Sequence, residues 1–317
     1  MISTAIILAA GRGSRLREIT ATRSKAMVPI AGVPMIGRVL ERLRAAGIAR
    51  FIIVAAPLDH ELRGYVSTDP AVRVVTQKEA RGSGDALKVC ASHVTSSFLV
   101  CACDSLIPVT SLLQIQELYE FTGAAAALGV MEVGGDVSLS SRSVVRMNGD
   151  RVLDVIEKPR EDERISNVTG LPLYVFSEQI FGELAGLPVS PRGEYELPGV
   201  FRSMISKGQE VVACRVPFRE DLTDATDLLA LTERYLVPGV RVHESVRIPS
   251  STRLVAPLLI EADVSIGDNC TLGPFVYLER GASVVPGACV DHSVVLRDSS
   301  ADGCVSGIVR SATPSPL

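Results

Sequence analysis

The sequence predicts an α/β chain in two parts, a mostly parallel sheet flanked by helices and then a short parallel β-helix. Three observations predict it. Apolar strand-like runs alternate with helical spacing from Thr4 to Tyr119, the first of these runs ends in a turn carrying two glycines, and beyond Gly239 aliphatic residues recur at every sixth position.

The 317 residues are enough for two domains, and a composition of 47% hydrophobic and 21% charged residues can bury a large core. A net charge of -4 gives no general attraction to nucleic acid or to an anionic membrane, so any phosphate binding must be local. No basic leader precedes Ile2 to Ala10 and no run reaches membrane-spanning length, so neither a signal peptide nor a membrane helix is expected. The seven cysteines are odd in number and scattered, as expected of reduced thiols in a cytoplasm. Cys101 and Cys103 alternate along one strand and are expected to pack in the core.

Thr4 to Ala10 reads as a buried parallel strand, and Gly11 and Gly13 free the backbone to turn at its end. Amides of such a turn converge on a concavity that favours anions, and Arg15 adds a forked, permanently charged donor for a phosphate oxygen. Lys25 is within reach of the same pocket. A ligand-free tight connection is the plain alternative. The spacing matches neither a Walker A loop nor the dinucleotide G-x-G-x-x-G.

Pro34 to Ala46 carries Met35, Ile36, Val39, Leu40 and Leu43 at helical spacing and stops at Gly47. Strands follow at Phe51–Ala55, Arg73–Thr76 and Ser97–Cys103, with helical patterns at Gly82–Ser92 and Ser111–Tyr119. Ligands of such sheets sit outside the carboxyl ends of the strands. That rule puts the Gly11 loop, the segment after Thr76 and the segment after Cys103 along one edge. Gln77 there can donate and accept in one plane, as a pyrimidine edge requires, and Gly82 lets backbone approach a base; a surface Gln and a helix start are the alternative. Asp104 ends its strand on a carboxylate suited to Mg²⁺, or to capping a helix. Glu157-Lys158-Pro159 ends a later strand with an acid for hydroxyls and a base for a phosphate, or with a surface ion pair.

Taken together these segments resemble the sugar-1-phosphate nucleotidyltransferases, the NDP-sugar pyrophosphorylases. Gly11-x-Gly13-x-Arg15 continued by Lys25-Ala26-Met27-Val28-Pro29 is similar to their signature, and Glu157-Lys158-Pro159 to their sugar-site motif. Asn167-Val168-Thr169-Gly170, Arg192 to Leu197, and Asp221 to Leu229 resemble further family segments. The resemblance implies a Rossmann-like, mostly parallel nucleotidyltransferase domain over 1–236. It implies Arg15 and Lys25 as catalytic residues, and Leu8, Ala10, Gly11, Gly13, Gln77, Gly82, Ser83 and Asp104 against the nucleotide. Glu157, Lys158, Asn167 and Thr169 would bind the acceptor, and Asp104 and Asp221 would hold Mg²⁺; Thr223 or Asp224 is the candidate cap of the helix that follows.

The implied reaction is Mg²⁺-dependent transfer of a nucleotidyl group from an NTP, UTP or dTTP favoured, to a sugar 1-phosphate, with pyrophosphate leaving. The partners expected are an NTP and a phosphorylated sugar or cyclitol, with no nucleic acid and no membrane. The family often has Gly near Ser143 and Pro172, so a cyclitol phosphate or phosphocholine acceptor stays open, as do ATP, GTP and CTP. A non-catalytic regulatory subunit is the remaining alternative, although the Arg15, Lys25 and Asp104 positions are all present.

After the linker Val237-Pro238-Gly239, aliphatic residues fall at Val242, Ile248, Leu254, Ile260, Ile266, Leu272, Leu278, Val284, Val290 and Leu296. A six-residue period suits one side of a triangular coil, so 240–311 reads as a hexapeptide-repeat parallel β-helix, left-handed in the family, with 312–317 as a tail. Acetyl transfer, carried by some fused relatives, is not expected with about three coils and only His243 and His292 nearby. Packing or homo-oligomer assembly is. Structural roles are expected for His60 and His93.

Overall fold

A computed structural model describes residues 2–11, 13–134, 139, 142–160 and 164–312. Arg12 of the glycine loop and 313–317 of the tail lie outside the described residues. The chain divides into two compact units, one of residues 1–11 with 39–220 and the other of residues 12–38 with 221–317.

The first unit is built on nine strands: β1 (Thr4–Leu8), β2 (Arg50–Ala55), β3 (Val72–Thr76), β4 (Phe98–Ala102), β5 (Ala126–Glu132), β6 (Ser143–Asn148), β7 (Arg151–Glu157), β8 (Val168–Phe176) and β9 (Val211–Arg215). Among the described residues they form one sheet in the order β3-β2-β1-β4-β8-β5-β9-β7-β6. The run β3-β2-β1-β4 is parallel, as the strand and helix alternation predicts. Strand β8 then pairs antiparallel with both β4 and β5, so the sheet is parallel on one side and mixed on the other. This follows from the connections. The links between the first strands are long enough for helices, whereas β6 and β7 are joined by two residues, Gly149 and Asp150, which only an antiparallel hairpin allows.

The central strands are buried on both faces, and Ile6, Ile7, Phe98, Val100 and Phe176 are all fully buried. Tyr174, Phe176 and Phe201 pack with ring centroids 5.5 to 5.8 Å apart, contacts worth about 1 kcal/mol per pair beyond burial. Cys101 and Cys103 are buried as expected, and burial, with the Asp104 charge adding to it, pushes the Cys101 thiol up to about 12. It is a packing residue, not a nucleophile. No helix among the described residues is long and apolar enough to cross a membrane.

The second unit contains the parallel β-helix. Leu258–Ile260 pairs with Val276–Leu278, Thr271 with Cys289, and Ser265 with Ser283, each eighteen residues on, so three six-residue sides make one coil. Leu258, Ile260, Leu272, Leu278, Val284 and Val290 line the interior. The ladder is corrected at its end: Leu278 pairs with Val295, seventeen residues on, and Val295 rather than Leu296 joins the interior cluster. The corner at Asp291-His292-Ser293 is tight, with His292 at φ 42°, and it removes one residue from that side. The same unit holds a hairpin, Pro29–Ile30 with Val33–Pro34, and a helix, α1 (Ala225–Tyr235), with Arg38 stacked 4.1 Å over the Tyr235 ring.

The register separates inward from outward residues, which makes a paired test. Leu272→Ala empties a fully buried interior position and should cost about 2 to 5 kcal/mol in denaturant unfolding. Arg253→Ala, on an exposed outer position of the same sheet, should stay within about 0.5 kcal/mol. Equal losses would contradict the register.

Candidate active site

In the second unit the glycine loop closes on the lysine segment. Gly13 has φ 59°, a left-handed turn that favours glycine, and its carbonyl accepts from Leu16 N (2.9 Å) and Thr20 Oγ1 (3.2 Å). A Cβ added to Gly13 would lie 3.1 Å from Thr20 Cγ2 and 3.5 Å from Lys25 Cβ, so the turn packs directly on Lys25. Arg15 is exposed on the short turn Ser14–Leu16, and Lys25 is half-buried at the start of another, followed by buried Ala26, Met27 and Val28. Asp221 is half-buried, and three residues on Asp224 caps α1, accepting from Thr226 N and Asp227 N in a capping box.

In the first unit Leu8 ends β1 and, with Ala10, packs against the sheet core, while Gly11 is exposed with open space about it. Cys103 N donates to Leu8 O (3.1 Å), which sets Asp104 just past the carboxyl edge of the parallel strands.

Gln77 is buried at the same edge, its Nε2 donating to Asp85 Oδ2 (2.8 Å) and to Gly82 O (3.2 Å). Gly82 has φ 101°, and a Cβ there would meet Tyr195 O at 2.6 Å. The glycine is therefore required by the backbone of 194–195, which clamps the loop through Gly84 N to Tyr195 O and Tyr195 N to Arg81 O. The Ser83 hydroxyl accepts from Leu197 N (3.0 Å) and ties the same two segments together. Its oxygen serves the loop, while its O–H remains a donor.

The acceptor motif forms a second cluster. Ser143 on β6 stands opposite Glu157 on β7 and opposite Gly170 on β8. A Cβ on Gly170 would lie 2.8 Å from Ser143 Oγ, so Ser143 occupies space that Gly170 leaves, and Pro172 falls where the β8 pairing shifts register. Burial pushes the Glu157 carboxyl up; the Lys158 charge and the Ser143 hydroxyl pull it down, and the Glu196 charge pushes it up. Lys158 Nζ lies 3.3 Å from Glu196 Oε1 and 3.7 Å from Glu157 Oε1, and Arg192 also pairs with Glu196. Lys158 holds φ 47°, an uncommon conformation for a residue with a side chain.

Two acceptor candidates have partners within the chain. Thr169 is fully buried and its hydroxyl donates to Met131 O (3.1 Å), which ties β8 to β5. Asn167 is exposed with its side-chain oxygen engaged by Arg164 (2.6 Å). Asp85, which holds Gln77, and Glu196, which pairs with Lys158, were not among the candidates. An acid in the first turn of a helix flagged Asp85, whereas nothing local couples Glu196 to Lys158, thirty-eight residues away. Among the described residues no three His, Cys, Asp or Glu side chains gather as a metal cluster. A Mg²⁺ ion that takes most of its oxygens from substrate phosphates and water needs only one or two carboxylates, the donor type that Asp104 supplies within the first unit and Asp221 within the second, each taken by itself.

The nucleotidyl transferase family model matches residues 4–236. The chain belongs to the nucleotidyl transferase family. Among its relatives, the bifunctional protein GlmU of Methanococcus maripaludis strain S2 is 25% identical over 273 residues, covering 84% of this chain and 62% of the relative. The UTP–glucose-1-phosphate uridylyltransferase AglF of Haloferax volcanii is 28% identical over 220 residues, 67% of this chain and 87% of that protein. The chain spans about half to three fifths of the length of several GlmU relatives. A UDP-glucose pyrophosphorylase crystallised with UDP-glucose shares the fold, with a TM-score of 0.67 at 22% identity over 74% of this chain and 98% of that one.

The raised Glu157 carboxyl makes a signed prediction. A carboxyl whose folded pKa lies above its unfolded value favours folding while protonated, and that contribution is lost as pH rises through the folded value. Glu157→Gln keeps the shape without the charge. Its Tm relative to wild type should therefore be higher near pH 7.5 than near pH 4, about the unfolded carboxylate range. A Tm difference independent of pH would contradict the burial argument.

Proposed function

We propose that the chain is a sugar-1-phosphate nucleotidyltransferase that moves a nucleotidyl group from an NTP, UTP or dTTP preferred, to a phosphorylated sugar. The observation that carries this reading is the family match over 4–236 together with the glycine loop packed on Lys25. An acceptor phosphate oxygen attacks the α-phosphorus, the new P–O bond forms as the α–β bridge breaks, and pyrophosphate leaves with the electron pair. The acceptor phosphate is already an anion near neutral pH, so the protein's task is positioning and charge stabilisation rather than proton abstraction.

In this reading Arg15 and Lys25 stabilise the departing pyrophosphate, and the amides after Leu8 and Ala10 face the phosphates. Gln77, held by Asp85, presents its remaining amide oxygen to the base. Glu157 accepts from sugar hydroxyls, and Lys158 holds the acceptor phosphate, which would take the place of Glu196 as its counter-charge. Asp104 and Asp221 would hold Mg²⁺, which when bound neutralises phosphate charge. We place the enzyme in the cytoplasm, in keeping with its seven unbridged cysteines, and assign homo-oligomer assembly to the β-helix.

Pyrophosphate release measured across UTP, dTTP, ATP, GTP and CTP, with sugar and cyclitol phosphates and Mg²⁺, tests the assignment. Turnover is expected with a pyrimidine NTP and a sugar 1-phosphate; none with any pair would refute it. Lys25→Ala should lower kcat by about 100-fold or more, the scale of losing one charge stabiliser. Full activity in that variant would remove Lys25 from the mechanism.

A further inference from the structure

The lysine segment is gripped by the β-helix of its own unit. Arg23, two residues before Lys25, is 2% exposed and forms a forked pair with Glu279, Nη1 to Oε1 at 2.6 Å and Nη2 to Oε2 at 3.0 Å. Glu279 is on the β-helix, immediately after the strand Val276–Leu278. Its Oε2 also accepts from Arg297 N (2.8 Å), and Arg297 Nη2 donates to the carbonyl of Thr22 (3.2 Å). Two successive residues ahead of Lys25 are thus held by two successive coils.

The far side of the segment is held as well. A Cβ on Gly32 would lie 3.1 Å from Leu259 Cδ2 and 3.2 Å from Glu261 Oε1, both on the outer side of the preceding coil. Glu261 Oε1 accepts from the Tyr277 hydroxyl at 2.9 Å. Tyr277 alternates with the inward Val276 and Leu278 and so faces outward, yet it is fully buried. An outward tyrosine with no exposure marks a β-helix face that is covered, with contacts to 22–32 on both sides of it. An exposed ornamental coil would need neither a buried arginine nor a buried outer tyrosine.

We propose that Glu279, acting through Arg23, is a positioning residue for Lys25, so that the β-helix is the scaffold of the nucleotide loop and not only an assembly module. The inference rests on the nucleotidyl-transfer reading for its kinetic consequence and on geometry alone for its structural one. Arg23 has a forked donor set that lysine lacks, so the register of 22–28 depends on that fork. A lysine displaced by about an ångström loses most of its effect on a developing charge.

The experiment uses the full chain as wild type, Arg23→Met, Glu279→Gln, Arg23→Lys and the double variant Arg23→Met/Glu279→Met. The double variant replaces the ion pair with apolar side chains and removes the buried uncompensated charge that destabilises either single change. It should regain a Tm close to wild type while kcat stays at least about tenfold down, with KM for the acceptor little changed. Arg23→Lys should keep a larger share of kcat than Arg23→Met. Hydrogen exchange of 22–28 should quicken in Glu279→Gln and in the double variant relative to wild type.

A double variant that regains both Tm and kcat would overturn the proposal, leaving the pair a stabilising contact only. Unchanged exchange of 22–28 would overturn it equally, and that readout stands when no variant turns over. A wild-type chain inactive with every substrate pair would refute the functional reading alone, with the exchange comparison still deciding whether Glu279 positions the loop.

Discussion

An arginine out of water must have its charge answered, and Arg23 is answered by Glu279, 256 residues later in the chain. Breaking a buried pair of this kind by removing one partner costs about 3 to 5 kcal/mol, while replacing both partners with apolar groups can be close to neutral. The pair is therefore weak evidence of added stability and better evidence of a fixed geometry. It fixes residues 22–28, which hold Lys25, and the Gly13 turn of the same unit packs against Lys25. Unit boundaries follow from the same contacts. Residues 12–38 belong with the β-helix even though they lie inside the stretch that matches the family.

The first unit solves a different problem, holding polar side chains at the carboxyl edge of a hydrophobic sheet. Gln77 is oriented by Asp85, and the 81–84 loop is held by hydrogen bonds to, and close packing on, the backbone of 194–195. Glu157, Lys158 and Glu196 keep two acids around one base in a half-buried cluster, and the strained backbone of Lys158 is held there by its own amide donating to Arg142 O (2.9 Å). Arg192 pairs with Glu196 as well, so the two acids are matched by two bases.

Much of this was legible in sequence where the signal is local. The parallel strands, the glycine turn and the six-residue ladder each depend on residues a few positions apart, and each appears where its pattern predicts, the ladder as far as Val290. Interactions between distant residues were not legible. Nothing near Arg23 points to Glu279, and Glu196 joins the Glu157 and Lys158 cluster only once the fold brings it to Lys158. Gly82 was legible as a position that must be glycine, but the neighbour requiring it, the Tyr195 backbone, was not. A motif position says which residue is present and not what it bonds, and the Thr169 hydroxyl donates to the neighbouring strand. The ladder slipped at Leu296 because a corner one residue shorter at His292 leaves no mark on the hydrophobic period.

The central claim, that an acceptor phosphate attacks an NTP on this scaffold, is tested most directly by following the acceptor's own oxygen. A sugar 1-phosphate with isotopically labelled phosphate oxygens is incubated with UTP, Mg²⁺ and the full chain, and the products are separated by mass. The account predicts that label is retained in the nucleotide sugar, including the bridge to the α-phosphorus, and that the pyrophosphate is unlabelled. Labelled pyrophosphate, or label lost to water, would contradict it.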